Sequence, residues 1–237
     1  AGDIPVVELS RLHQHFGGDT SERDNAPMPQ QAPSGGTISA LSVQLPALRV
    51  LAPFLRRPGA QVFDLGFGSG VMVGMMLAIA NKDAHVYGAD MPDKIAVAAR
   101  NLVSPGAASS PYLPFEEHSF TLLGGDAFEH LQAWEKEGKS FDVVYAGCSM
   151  DPATDQLRQF LRRLKPDGAA VFNLGTPGEQ GMYYVAQGGR ICELLMRVNF
   201  MMCESRRTPR TAGARVPLQP GQLRSWISKH VYNVSEL

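Results

Sequence analysis

The sequence predicts an α/β domain built on a mostly parallel sheet with helices on both faces, closed by an antiparallel strand pair near its C-terminal end. Three observations carry that expectation. Short apolar runs alternate with segments of helical period from Gln61 onward. Three of these runs end in an acid, at Asp64, Asp90 and Asp126. The first is followed by glycines at alternate positions, Gly66, Gly68 and Gly70, and then by the apolar stretch from Val71 to Ala80. A strand, a tight glycine turn and a buried helix, in that order, put free backbone N–H groups where a ligand can meet them at the carboxyl end of a sheet.

Taken in order, residues 1–36 are rich in Gly, Pro, Gln and charge and read as an N-terminal arm, with a short helix in Val6 to Phe16. His13 and His15 flank Gln14, but two histidines with no third ligand nearby read as surface residues and not as a metal site. Residues 37–237 then read as one domain. Leu41, Leu45, Leu48 and Leu55 recur on one helical face, with Pro46 expected in a first turn and Pro53 expected to kink the helix. Gln61 to Leu65 is the first strand, and Val71 to Ala80 is apolar all round, so Met72, Met75 and Met76 read as core filler.

His85 to Asp90 is the next strand, followed by a helix marked by Ile95, Ala99 and Leu102; Leu122 to Asp126 and a helix marked by Phe128, Leu131 and Trp134 repeat the unit. Phe141 to Ala146 is the fourth strand. Asp151-Pro152 offers an N-cap and an N1 proline to a helix carrying Leu157, Phe160, Leu161 and Leu164, which Lys165-Pro166-Asp167-Gly168 should stop ahead of a fifth strand, Ala169 to Leu174. Tyr183 to Val185, a Gln187-Gly188-Gly189 turn and Ile191 to Met202 read as the antiparallel pair. Arg206, Arg207, Arg210 and Arg215 lie in a segment that reads as a solvated loop.

Charge and composition narrow the choice of function. With Lys plus Arg at 22 and Asp plus Glu at 23 among 237 residues, no global field recruits nucleic acid or an anionic membrane. No apolar run reaches the length of a membrane span. Cys148, Cys192 and Cys203 show no C-x-x-C spacing and read as core thiols in a reducing compartment, cytoplasmic, or mitochondrial if a presequence was removed ahead of Ala1.

The spacing of the glycine turn is informative. The dinucleotide pattern G-x-G-x-x-G, counted from Gly66, needs a glycine where Val71 stands, whereas the sequence has D-x-G-x-G-x-G. Asp90, twenty residues past Gly70, is placed to accept hydrogen bonds from ribose hydroxyls. The ordered set of Asp64, the three glycines, Asp90 and Asp126 resembles the S-adenosylmethionine site of Rossmann-like class I methyltransferases. More narrowly, Pro29, Thr37-Ile38-Ser39-Ala40, Asp64 to Gly70, Gly125-Asp126, Phe141-Asp142, Gly147, Leu164 to Gly168 and Gly175 resemble the protein-L-isoaspartate O-methyltransferase family, over roughly residues 27–202.

That resemblance implies S-adenosyl-L-methionine as cofactor and an isoaspartyl protein or peptide as substrate. The displaced carboxylate would be methylated and the ester would collapse to a succinimide, beginning repair. It also implies roles: Ser39 orients the substrate carboxylate, Asp64 holds the methionine end, Gly66, Gly68 and Gly70 form the cofactor turn, Asp90 takes the ribose and Asp126 the adenine amino group. The substrate half departs from the family pattern. Pro27 and Pro33 stand where the family has an acid and a glycine, Leu41 and Ser42 replace a proline and a histidine, and Cys148-Ser149-Met150-Asp151 replaces a run of small residues. Val198 to Cys203 replaces the family's peptide-groove segment, with Val216-Pro217-Leu218 as its displaced counterpart. These departures imply cofactor binding with weak turnover on ordinary isoaspartyl peptides. An alternative reading makes the chain a catalytically inactive subunit of a larger, RNA-containing assembly, based on the same departures, the long arm and the arginines.

Overall fold

A computed structural model describes residues 3–17, 28–29, 37–104, 112–203 and 216–232. The chain divides into two compact units, Ala1–Gly125 and Asp126–Leu237.

In the first unit, β1 (Met28–Pro29) pairs antiparallel with β2 (Thr37–Ile38) ahead of α2 (Leu41–Leu55). The helix predicted in the arm is α1 (Val6–His15), with Leu9 and Leu12 fully buried. Three parallel strands follow, β3 (Gln61–Leu65), β4 (His85–Asp90) and β5 (Phe120–Gly124), with β4 between the other two. Val, Phe, Leu and Ala on β3 and β4 are buried, as strands covered on both faces should be. The register sets Leu65 against Ala89 and Asp90 against Gly124, so the carboxyl ends lie side by side. α3 (Val71–Ile79) packs on both α1 and α2, and α4 (Ile95–Val103) packs on β5 with Ala98 and Leu102 buried.

Pro46 of α2 sits differently from the expectation. The helix begins at Leu41, so Pro46 falls in its second turn and Pro53 in its last, and the helix runs continuously through both. Burial of Ala47, Leu48, Leu51, Ala52 and Leu55 offsets the hydrogen bond that Pro46 cannot donate to the Ser42 carbonyl.

In the second unit, α5 (Ala127–Lys136) precedes β6 (Phe141–Met150), which pairs parallel with β7 (Leu164–Leu174). The predicted closing pair is β8 (Gln180–Ala186) and β9 (Ile191–Val198); β8 runs antiparallel to both β7 and β9. The Gln187-Gly188-Gly189 turn joins them with all three residues at positive φ.

Three sequence expectations are corrected here. Asp151 does not cap the following helix: α6 (Gln156–Leu161) starts after Asp155, while Asp151 Oδ1 accepts from the Ala153 amide at 2.8 Å in a turn of its own. Lys165 to Gly168 does not end a helix but bulges within β7, since Phe141 opposes Leu164 and Val143 opposes Ala169. Gly168 is required there, because a Cβ would lie 2.7 Å from the Asp142 carbonyl oxygen. β9 ends at Val198; the residues beyond it turn to the end of β6 instead, where the Ser149 amide donates to Met201 O and the Cys203 amide to Ser149 O, both at 2.8 Å.

That return brings Cys148 and Cys203 into a disulfide, with Cα atoms 5.1 Å apart, so two of the three cysteines are not core thiols; Cys192 is free. The C-terminal helix α7 (Pro220–His230) packs on β9 through Leu223 and Ile227. No helix among the described residues is long and apolar enough to cross a membrane. The segment holding Arg206 to Arg215, together with Pro27 and Pro33, lies outside the described residues.

Candidate functional site

The turn after β3 has the conformation its glycines suggest. Gly66, Gly68 and Gly70 take φ of 84°, 56° and 87°, a region that side chains with a Cβ rarely enter. Gly66 donates to the Ala89 carbonyl at 2.8 Å, which ties the turn to the end of β4. Gly68 donates to Asp90 Oδ2 at 2.7 Å, and the Met91 amide donates to Asp90 Oδ1 at 2.7 Å. Gly125 in turn donates to the Asp90 carbonyl at 2.9 Å. Asp90 is therefore the residue on which the glycine turn after β3 and Gly125 after β5 converge.

Phe67, between the first two glycines, is buried against Gly88 of β4, where a Cβ would lie 2.7 Å from its ring. Ser69 is buried too, and its carbonyl accepts from Asn101 Nδ2 at 3.0 Å.

Asp64 is fully buried on β3, and neither of its carboxylate oxygens has a hydrogen-bond partner. Desolvation, with Asp90 as a second and lesser cause, holds its carboxyl well above the usual carboxylate range. Burial also raises Asp90, against the lowering effect of the Gly68 and Met91 amides. A buried anion without a partner is costly, so this end of the site has an affinity for a cationic group. A molecule presenting an ammonium to Asp64 and hydroxyls to Asp90 fits that donor set, because each Asp90 oxygen keeps a lone pair after accepting from backbone. Among the described residues no cluster of three metal-ligating side chains occurs.

The other two predicted residues are placed separately. Asp126 caps α5, with Oδ1 accepting from the Phe128 amide at 2.9 Å. Ser39 lies between β2 and α2, and its carbonyl is held at 2.9 Å by His13 Nε2 of α1. His13 is 1% exposed, which corrects its reading as a surface residue: Leu9, Leu12 and Phe16 bury the same face of α1, and the ring follows them in with its Nε2 on the Ser39 carbonyl. His15 is half-buried, with Nε2 at 2.9 Å from the Asn101 carbonyl. Sequence reasoning missed Asn101. Its only signal is a polar residue in the alanine-rich run Ala96 to Leu102.

No family model matches the chain. Protein-L-isoaspartate O-methyltransferase 1 of Arabidopsis thaliana is 27% identical over 141 residues, covering 59% of this chain and 56% of that protein. The chain thus spans about half the length of the curated relative it matches. Among solved structures, a candidate protein-L-isoaspartate O-methyltransferase of Plasmodium falciparum, in complex with S-adenosyl-L-homocysteine, matches with TM-score 0.64 at 21% identity, over 85% of this chain and 92% of that one. A second structure, a protein-L-isoaspartate O-methyltransferase, matches with TM-score 0.60 at 13% identity, over 84% of this chain and 61% of that one. These likenesses establish the Rossmann-like class I methyltransferase fold, a mostly parallel sheet with a C-terminal antiparallel strand pair. The chain thus has the class I methyltransferase fold and is similar in sequence to a protein-L-isoaspartate O-methyltransferase.

Proposed function

We propose that the chain is an S-adenosylmethionine-dependent carboxyl methyltransferase of the isoaspartyl type, with an altered choice of substrate. The observation that carries this reading is the three-glycine turn latched through the Gly68 amide to Asp90, beside a buried, unpartnered Asp64.

S-adenosylmethionine, when bound, supplies a methyl group on a sulfonium that leaves as a neutral thioether. An isoaspartyl carboxylate is ionised at neutral pH, so the protein needs no general base, and its task is placement and exclusion of water. Asp64 gives the methionine ammonium its counter-charge, Asp90 accepts from the ribose hydroxyls, and the glycines leave the approach open. The role of Asp126 toward the adenine amino group rests on the family resemblance alone; its carboxylate is oriented by the Phe128 amide. Ser39 orients the substrate carboxylate. The altered substrate follows from Leu41 and Ser42 beside Ser39, where a small misplacement costs about a hundredfold.

Calorimetric titration with S-adenosylhomocysteine tests the cofactor half: saturable heat is expected, and none at millimolar ligand would sink the reading. Methyl transfer to an isoaspartyl peptide, with Ser39→Ala as comparator, tests the rest. Low turnover is expected, and robust turnover that collapses in Ser39→Ala would restore ordinary repair in place of an altered substrate.

A further inference from the structure

α1 is anchored at three places. Phe16, at its end, fills a notch on α3: a Cβ on Gly74 would lie 2.9 Å from Phe16 Cζ. His13 Nε2 lies 2.9 Å from the Ser39 carbonyl and His15 Nε2 lies 2.9 Å from the Asn101 carbonyl. A carbonyl only accepts, so each Nε2 carries the proton and donates. The Asn101 side chain then donates to the Ser69 carbonyl at 3.0 Å, inside the glycine turn. One short helix therefore holds the residue read as orienting the acceptor and, through one intermediary, the turn read as holding the cofactor.

We propose that His13 and His15 are positioning residues for methyl transfer, with α1 acting as a strap that sets Ser39 against the Gly66 to Gly70 turn. The roles of Ser39 and of the turn rest on the reading given above; the strap itself rests on the hydrogen bonds. The histidines suit this task because a ring reaches farther than Ser or Asn and presents one N–H in a fixed direction. Their i, i+2 spacing on a helix turns the two rings to different sides, so one helix serves both carbonyls. Neither histidine touches substrate or cofactor in this scheme. They act by fixing backbone, whose displacement by about 1 Å is enough to cost up to a hundredfold in transfer rate.

The test uses the full chain with His13→Leu, His13→Gln and His15→Leu, read by amide hydrogen exchange without ligand, by S-adenosylhomocysteine titration, and by methyl transfer. In His13→Leu, exchange should rise at the Val43 and Gln44 amides, which close on Ala40, and kcat should fall about tenfold or more while the dissociation constant for S-adenosylhomocysteine stays within about twofold. His13→Gln keeps an N–H donor and should recover most of both. In His15→Leu, exchange should rise at Gly66, Gly68 and Gly70, with weaker S-adenosylhomocysteine binding. Unchanged exchange in both leucine variants overturns the strap whatever the turnover. Equal exchange changes in His13→Leu and His13→Gln overturn it too, since they would report loss of packing and not of the bond. Changed exchange in the expected segments, in a wild-type protein that neither binds S-adenosylhomocysteine nor turns over, supports the strap and removes the methyltransferase reading instead.

Discussion

Asp64 is a carboxylate that folding deprives of water without offering a partner. Its native pKa is raised, so from the ordinary carboxyl range near about 4 up to that raised value the native chain binds more protons than the unfolded one. Stability from this group therefore falls as pH rises through that window. Asp64→Asn, which keeps the shape and removes the charge, should melt above wild type at pH 8, with the difference shrinking toward pH 4. Thermal melts of the ligand-free proteins check this, and a variant that melts below wild type at pH 8 would mean that the anion has a cationic partner. The same change should weaken S-adenosylhomocysteine binding by about tenfold or more, the scale of one charge-assisted hydrogen bond. Gly68→Val should abolish binding, because a branched side chain at φ 56° strains the turn and blocks the approach.

At the scale of elements, the turn depends on β4 as much as on its own glycines. Phe67 lies on Gly88, and an added Cβ there would sit 2.7 Å from Phe67 Cδ1 and 3.1 Å from Leu122 Cδ2. Gly88→Ala should destabilise the fold by about 1–3 kcal/mol, the usual cost of overpacking, and weaken S-adenosylhomocysteine binding by moving Phe67 between Gly66 and Gly68. Gly221→Ala in α7 is the contrasting change. Nothing lies within 4 Å of the new Cβ, so the helix should gain about 0.4–1 kcal/mol from a less flexible unfolded chain. Urea unfolding of the two variants should move in opposite directions; a shift of the same sign would contradict the packing account of Gly88.

For the whole molecule, a ligand that binds only the native state raises stability by mass action. S-adenosylhomocysteine at a hundredfold its dissociation constant should add about 2.7 kcal/mol, or roughly 5–10 °C in Tm for a chain of this size. The Cys148–Cys203 bridge joins residues 55 apart in sequence. Closing a loop of that length constrains the unfolded chain by about 4 kcal/mol in the chain-entropy view. Cys148→Ser with Cys203→Ser should therefore lower Tm by several degrees under oxidising conditions, and the wild-type value should drop toward it in reductant. Equal melting of both proteins in oxidant would count against the bridge.

The cores of strands β3 to β9, the glycine turn and the helices α1 to α5 were legible because their signals are local. Alternating glycines, an acid closing an apolar run and apolar residues at helical spacing each act within a few positions. The places of Asp64 and Asp90 on their strands and of the glycines in the turn could thus be read before any fold was seen. The cap after β6 was misread because Asp151-Pro152 and Asp155 are both acceptable local starts; the turn in which Asp151 Oδ1 takes the Ala153 amide decides for Asp155. The bulge at Lys165 to Gly168 is set by register with β6, which a turn-like tetrapeptide cannot reveal. Cys148 with Cys203, and His13 with Ser39, are contacts between segments distant in sequence. The spacing of His13 and His15 suggested surface, yet burial of the neighbouring leucines drew one ring onto a backbone carbonyl. Sequence by itself determined where the glycine turn lies and which acids end the strands around it, because backbone preference decides that locally. Only the tertiary structure decided what holds the turn and Ser39 in place, because a hydrogen bond across 26 or 32 residues exists only once packing has brought its ends together.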